Sequence, residues 1–133
     1  MLRRNKILIG LGVIGLVIAM LGFPIWMTIL SAFKERSQRI AFDRKKWVEE
    51  STFKDPQRIR MVDDLLKTRS FENMSSNDVV ELLGPPEAMA FFRNYDIAYW
   101  LGPERGFTSI DSEWLVFRLD DSGKVTEQRI VRD

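Results

Sequence analysis

Residues 7–33 read ILIGLGVIGLVIAMLGFPIWMTILSAF, and no side chain in the run carries a charge. An α-helix rises about 1.5 Å per residue, so roughly 20 such residues cross a hydrocarbon core about 30 Å thick. The run is long enough to cross with tilt to spare. Its polar members, Thr28 and Ser31, are able to bond back to carbonyls of their own helix, which strands no polar group in lipid. A core helix of a soluble protein rarely runs this far without a charge on any face. The stretch predicts one membrane-spanning helix and divides the chain into an anchor and a polar remainder.

Arg3, Arg4 and Lys6 precede the run, as in a secretory signal. The apolar core is longer than a usual signal, and cutting after Ala32 would put the bulky Leu30 three positions upstream of the cut. An uncleaved signal anchor is the expectation. Lys34, Arg36, Arg39, Arg44, Lys45 and Lys46 follow closely, offset by Glu35 and Asp43. Counting Lys and Arg by the positive-inside rule puts the following domain in the cytoplasm, whereas the three basic residues of the short amino-terminal flank oppose crossing. The charge count alone favours the cytoplasm by a modest margin. Within the span, Gly15 and Ala19 form a small-xxx-small pair with Gly22 near the same face. They are a candidate helix–helix contact for a homodimer, although glycine is common in membrane helices anyway. Pro24 is expected to kink the helix and Trp26 to sit at an interface.

The 133-residue chain has a net charge of +1, so no global field points to nucleic acid. Roughly 80 residues remain for a globular part, enough for one modest core. Cysteine and histidine are both absent. That removes disulfides, thiolate nucleophiles, Ser–His triads, histidine acid–base chemistry and most zinc sites. It also removes the acylated cysteine of a lipoprotein, so any anchor is the helix itself. No cofactor, metal or catalytic set is expected.

Residues 34–54, KERSQRIAFDRKKWVEESTFK, form a basic segment with unevenly spread apolar side chains. Three arrangements fit it: a stalk continuing the membrane helix, a solvated linker, or a strip whose Lys34, Arg36, Arg39, Arg44, Lys45 and Lys46 meet anionic lipid headgroups. Trp47 and Phe53 folding back onto the domain is a further alternative.

Residues 55–133 read as an α+β domain. Asp55-Pro56 looks like an N-cap followed by proline at the first helical position. Ile59, Met61, Val62, Leu65 and Leu66 then make one apolar stripe, with Arg58, Arg60, Asp63, Asp64 and Lys67 assigned to the solvent side. Ser75 with Asp78 approximates a capping box for a second helix that Gly84-Pro85-Pro86 ends. Residues 88–93 (AMAFFR) suggest a strand weakly. Alternation over 97–101 and 114–119, a turn at Asp120-Asp121-Ser122-Gly123, and a last strand over 124–131 suggest strands more firmly. The expected domain has two helices packed on one face of a three-stranded antiparallel meander, in the order ααβββ, with the other face exposed.

The stretch MSSNDVVELLGPP, residues 74–86, resembles the short-helix signature of the BamE (SmpA/OmlA) family, in which Gly-Met-Ser/Thr leads to Val, Leu-Leu-Gly and Pro. Tyr99-Trp100-Leu101-Gly102 is similar to that family's next strand end, and WLVFRLDDSGKVT, residues 114–126, to its closing hairpin. The resemblance covers roughly residues 56–131, and its motifs are caps, core positions and a turn. It implies an ααβββ fold and a non-catalytic binding module of the bacterial envelope. Two features depart from the family: Asn73 stands where the glycine before Met74 would be, and no cysteine is present to acylate.

Three functions compete. The first is a membrane-tethered protein-binding module facing the periplasm from the inner membrane. Its candidate contact residues are Trp100, Trp114, Val116 and Arg118 on the free sheet face, with Arg105 and Phe107 in the adjoining loop. Membrane lipid and an envelope or membrane protein are its implied partners. The second is a cytoplasm-facing regulatory subunit that uses the basic segment. The third is an enzyme built on Glu104, Asp111, Glu113 or Asp120, which no recognised spacing joins.

Overall fold

The computed structural model describes residues 2–49, 54–88, 92–106 and 110–133, and side chains of the first helix from Val13 onward. The chain divides into two compact units, residues 1–37 and 38–133.

The first unit is one helix, α1 (Leu2–Ser37), with Pro24 inside it. Within Val13–Ser37 an 18-residue window has a mean hydropathy of 2.3 and no residue is buried, so the helix is long and apolar enough to cross a membrane. Thr28 donates to the Ile25 carbonyl at 2.7 Å and Ser31 to the Thr28 carbonyl at 2.9 Å. Both hydroxyls are thus satisfied within their own helix.

The second unit is α+β and starts well before Asp55. Helix α2 (Arg44–Val48) is capped by the Asp43 carboxylate, which accepts from the Lys46 amide at 3.0 Å. Five residues make no stable helix alone. This one is held by Trp47, which is fully buried with its ring edge-on to Phe42 and Tyr99. The Ile40 amide donates to the Arg60 carbonyl (3.0 Å), and the Phe42 amide to Asp64 (2.8 Å). Residues 38–49 are therefore part of the folded unit rather than a stalk or linker. Phe53 lies outside the described residues.

Helix α3 (Gln57–Thr68) begins one residue later than the sequence suggests. Pro56 is the N-cap, and Asp55 forms an ion pair with Arg60 at 3.4 Å instead of capping. The stripe Ile59, Met61, Val62 and Leu65 is buried as expected, but Arg58 is buried with it. Helix α4 (Ser76–Leu83) has a full capping box. The Ser75 hydroxyl accepts from the Asp78 amide (3.2 Å), and the Asp78 carboxylate accepts from the Ser75 amide (2.9 Å).

Strands β1 (Ile97–Pro103), β2 (Ser112–Leu119) and β3 (Val125–Arg132) form an antiparallel sheet in sequential order. Residues 89–91 lie outside the described set, and Ala88, Phe92 and Arg93 are not in a strand. Ile97, Tyr99, Leu115 and Phe117 face the core, where Trp47, Val62, Leu65, Phe71, Val79 and Leu83 meet them. A bulge after Trp100 brings Leu101 into that core and Gly102 under α3. A Cβ at Gly102 would lie 2.7 Å from that of Pro56, and φ there is +150°, so glycine is required. The far face of the sheet is not bare. Phe92 packs edge-on to Trp114 and Tyr95 lies under the Arg118 guanidinium, while Ala98 and Val116 between them are buried.

Replacing Trp47 by alanine is expected to destabilise the second unit by about 3–5 kcal/mol. Lys46→Ala, one position away on the exposed side, should stay within about 0.5 kcal/mol of wild type. Thermal unfolding followed by near-ultraviolet circular dichroism separates the two. Equal melting of both variants would mean that residues 38–49 are a dispensable linker.

Candidate functional site

The register pairs Trp100 with Trp114 and Trp114 with Val131, so the three form one row across the sheet face opposite the helices. All three are half-buried. The Trp114 indole donates to the Asp133 carboxylate at 3.1 Å, which fixes that ring. Ile110, two residues before β2, is almost wholly exposed. Aromatic anchors beside apolar surface are the commonest composition of an interface core.

The other candidates are placed differently. Val116 has no exposed surface and cannot meet a partner; its neighbours on that face, Trp114 and Arg118, pack against Phe92 and Tyr95. Arg118 remains half exposed, 5.4 Å over the Tyr95 ring and 3.6 Å from Glu127. Phe107 lies outside the described residues. Arg105 does not project from its loop. It forks onto Glu113 through Nε (3.0 Å) and Nη2 (2.7 Å), and onto both Asp63 oxygens through Nη1 (3.0 Å).

That fork is the centre of a chain of charges. Asp63 also binds Arg39 at 3.0 Å; Glu113 lies 3.8 Å from Arg132, which binds Glu104 at 2.5 Å. Arginine and carboxylate alternate along it, so the buried Glu113 is compensated. Burial works against the Arg105 charge, but hydrogen bonds and attraction from Glu113 and Asp63 outweigh it and raise its pKa further.

Of the proposed lipid contacts, Lys34 and Arg36 lie exposed near the end of α1, and Lys45 and Lys46 lie exposed on α2. Arg39 is engaged with Asp63. Arg44 donates twice to the Glu81 carbonyl, at 3.0 and 2.7 Å, and so closes the carbonyl end of α4 rather than reaching for headgroups. Gly15, Ala19 and Gly22 are all exposed on α1, and a Cβ at either glycine would meet nothing within 4 Å.

Of the carboxylates considered for chemistry, Glu104 and Glu113 meet on the Arg132 guanidinium. Glu113 and Glu104 belong to the chain of charges, and the Asp120 carboxylate accepts from the Ser122 and Lys124 amides in the β2–β3 turn. Among the described residues no group of three or more acidic side chains could hold a metal ion.

A second buried cation was missed by sequence reasoning. Arg58 donates through Nε to the Trp47 carbonyl (2.9 Å), and through Nη1 to Glu87 and the Trp100 carbonyl (3.2 Å). The signal was present: positions 58, 61, 62 and 65 share the stripe spacing. Glu113 likewise alternates with the core residues Leu115 and Phe117. Nearby, burial and the Glu87 charge push the Tyr99 phenol well above its usual pKa, partly offset by Arg58, and its hydroxyl donates to the Gly84 carbonyl at 2.8 Å.

No protein-family model, curated protein or solved structure matches the chain.

Arg105→Ala leaves the buried Glu113 without its fork and should cost about 3–5 kcal/mol of stability in urea unfolding, whereas the double replacement Arg105→Met with Glu113→Leu should recover most of it. A pH dependence follows from the α4 cap. Hydrogen bonds from the Ser75 hydroxyl and amide lower the Asp78 pKa below its ordinary 3.8. A lowered carboxylate stabilises the fold fully above its unfolded pKa and ceases to as pH falls through the folded value. Stability should thus fall as pH drops below about 4, and Asp78→Asn should flatten that slope. A carboxyl titration by NMR that places Asp78 at or above 3.8 would remove its contribution.

Proposed function

We propose that the chain is a single-pass membrane protein whose α+β unit is a non-catalytic, BamE-like protein-binding module on the periplasmic side of the bacterial inner membrane. What carries it is α1: an apolar helix with no buried residue over Val13–Ser37, followed directly by a folded unit. Apolar surface of that length is stable in lipid and not in water. The α+β class and the capping box at Ser75 support the BamE-like ααβββ reading. So does Asn73, whose φ is +63° at the position where the family has glycine. Asparagine is among the few residues that adopt this left-handed conformation readily, so the departure in sequence keeps the backbone. The half-buried Trp100–Trp114 pair, with Val131 beside it, is the contact surface. Envelope or membrane proteins are its partners, and α1 meets the lipid.

Topology tests it. A reporter fused after Asp133 and active on only one side of the membrane should be active in the periplasm. Cytoplasmic activity would overturn the envelope assignment and favour a regulatory subunit that presents Lys45 and Lys46 to the inner leaflet. In the same strain, Trp100→Ala and Trp114→Ala should each weaken photo-crosslinking to a partner by about 2 kcal/mol in apparent affinity, with the second unit still folded. Unchanged crosslinking in both would move the contact surface elsewhere.

A further inference from the structure

The two edges of the sheet are finished in opposite ways. On β1 the backbone groups that face away from β2 are occupied. The Ala98 carbonyl accepts from the Glu87 amide (3.0 Å), the Trp100 amide donates to the Glu87 carboxylate (3.1 Å), and the Trp100 carbonyl accepts from Arg58 (3.2 Å). On β3, among the described residues, only the start is occupied. The Asn73 amide donates to the Val125 carbonyl (3.1 Å), and the Val125 amide donates to the Met74 carbonyl (2.9 Å).

Further along, the bond from the Asp133 amide to the Ser112 carbonyl sets the phase of the ladder. Val131, Arg129 and Glu127 then turn their backbone groups toward β2, while Gln128, Ile130 and Arg132 turn theirs outward. Among the described residues no backbone group pairs with those three on the outer side. Outward groups at every second residue fit an added strand of about five residues.

The side chains along this edge say what kind of strand. Arg129 and Arg132 are 62% and 58% exposed, whereas the carboxylates that bind them, Glu127 and Glu104, are only 30% and 16% exposed; Arg118, on the neighbouring β2, is 48% exposed. A chain laid beside β3 meets guanidinium groups before it meets carboxylates. Charged edges ordinarily keep neutral strands away. A complementary charge turns the same residues into a selective contact. Strand β3 carries Arg129 and Arg132 against Glu127 alone, so a second copy would bring up a strand of the same net positive sign.

We infer that the outer edge of β3 is a docking strand for an extended acidic segment of a partner protein, which joins the sheet as a fourth strand. This rests on the protein-binding reading above and commits it to one surface and one ligand class. Main-chain bonds to Gln128, Ile130 and Arg132 supply register, and the arginines select for carboxylates.

The test uses the full chain in nanodiscs of zwitterionic lipid, with fluorescence anisotropy as readout. The probes are a labelled peptide of alternating glutamate and valine, its lysine–valine counterpart, and the acidic peptide N-methylated at alternate amides. The acidic peptide should bind, weaken with added salt, and lose about five- to tenfold in affinity on N-methylation in one of the two registers. Ile130→Pro should weaken binding by a similar factor and Ile130→Thr should not, because the Ile130 amide faces away from β2 and proline there removes no ladder bond. Should the proline variant not fold, the N-methylated peptides decide alone. Equal binding of the lysine peptide, indifference to N-methylation in both registers, or no binding at all would overturn the inference. So would concentration-dependent crosslinking of β3 to β3 that the acidic peptide does not reverse. Binding abolished by Trp114→Ala but untouched by Ile130→Pro and N-methylation would leave the protein-binding reading standing and reject the edge.

Discussion

The guanidinium of Arg58 is the point at which the second unit is tied together. It is buried, with its carbon 5.8 Å from the centroids of both Trp47 and Tyr99. A cation taken out of water costs several kcal/mol unless its donors and its charge are all matched. Here the matching comes from three directions: the carbonyl of Trp47 in α2, the carboxylate of Glu87, and the carbonyl of Trp100 in β1. None of those elements is able to leave without stranding the charge. Arg58 therefore makes α2, a five-residue helix with no independent stability, a cooperative part of the fold.

The charges around Arg105 do a related job where β1 ends and β2 begins. They bind the segment before α2, helix α3, the loop after β1, and strands β2 and β3 through alternating arginines and carboxylates. Buried carboxylates in a small domain invite a catalytic interpretation. Glu113 has a sufficient structural one: its oxygens are taken up by the Arg105 guanidinium and the Arg105 amide.

What the sequence made legible was local. The α4 capping box, the Asp120–Gly123 turn and the alternation in β1 and β2 each depend on residues a few positions apart, and each stands where the residues suggested. The Trp100–Trp114 row also followed from alternation alone. Long-range burial was not legible. Trp47 sits in a segment too short for periodicity to register, and only the core 50 residues downstream reveals it as a core residue. Val116 alternates with Leu115 and Phe117 just as an exposed residue would, yet it is buried, and its neighbours on that face pack against Phe92 and Tyr95, whose placement no spacing encodes. Arg58 was assigned to the solvent side on residue type alone, although its spacing to Met61, Val62 and Leu65 put it on the buried stripe.

The unequal sheet edges follow from where these constraints fall. β1 lies beside α3, so an arginine and a glutamate from neighbouring segments reach its outer groups and close them with charge-assisted bonds. Among the described residues no helix bonds to the outer side of β3, and apart from the Ser75–Lys124 bridge and the bonds at Val125 its defence is the side chains it carries. Lysine, arginine and a bulge are the usual means of making such an edge unattractive to a neutral strand, and β3 has both arginines and a bulge opposite Arg118 and Leu119. A defence made of like charge is conditional, because it repels only what does not complement it. The edge that the fold leaves unpaired is thus also the one whose occupancy depends on the chemistry of the approaching chain.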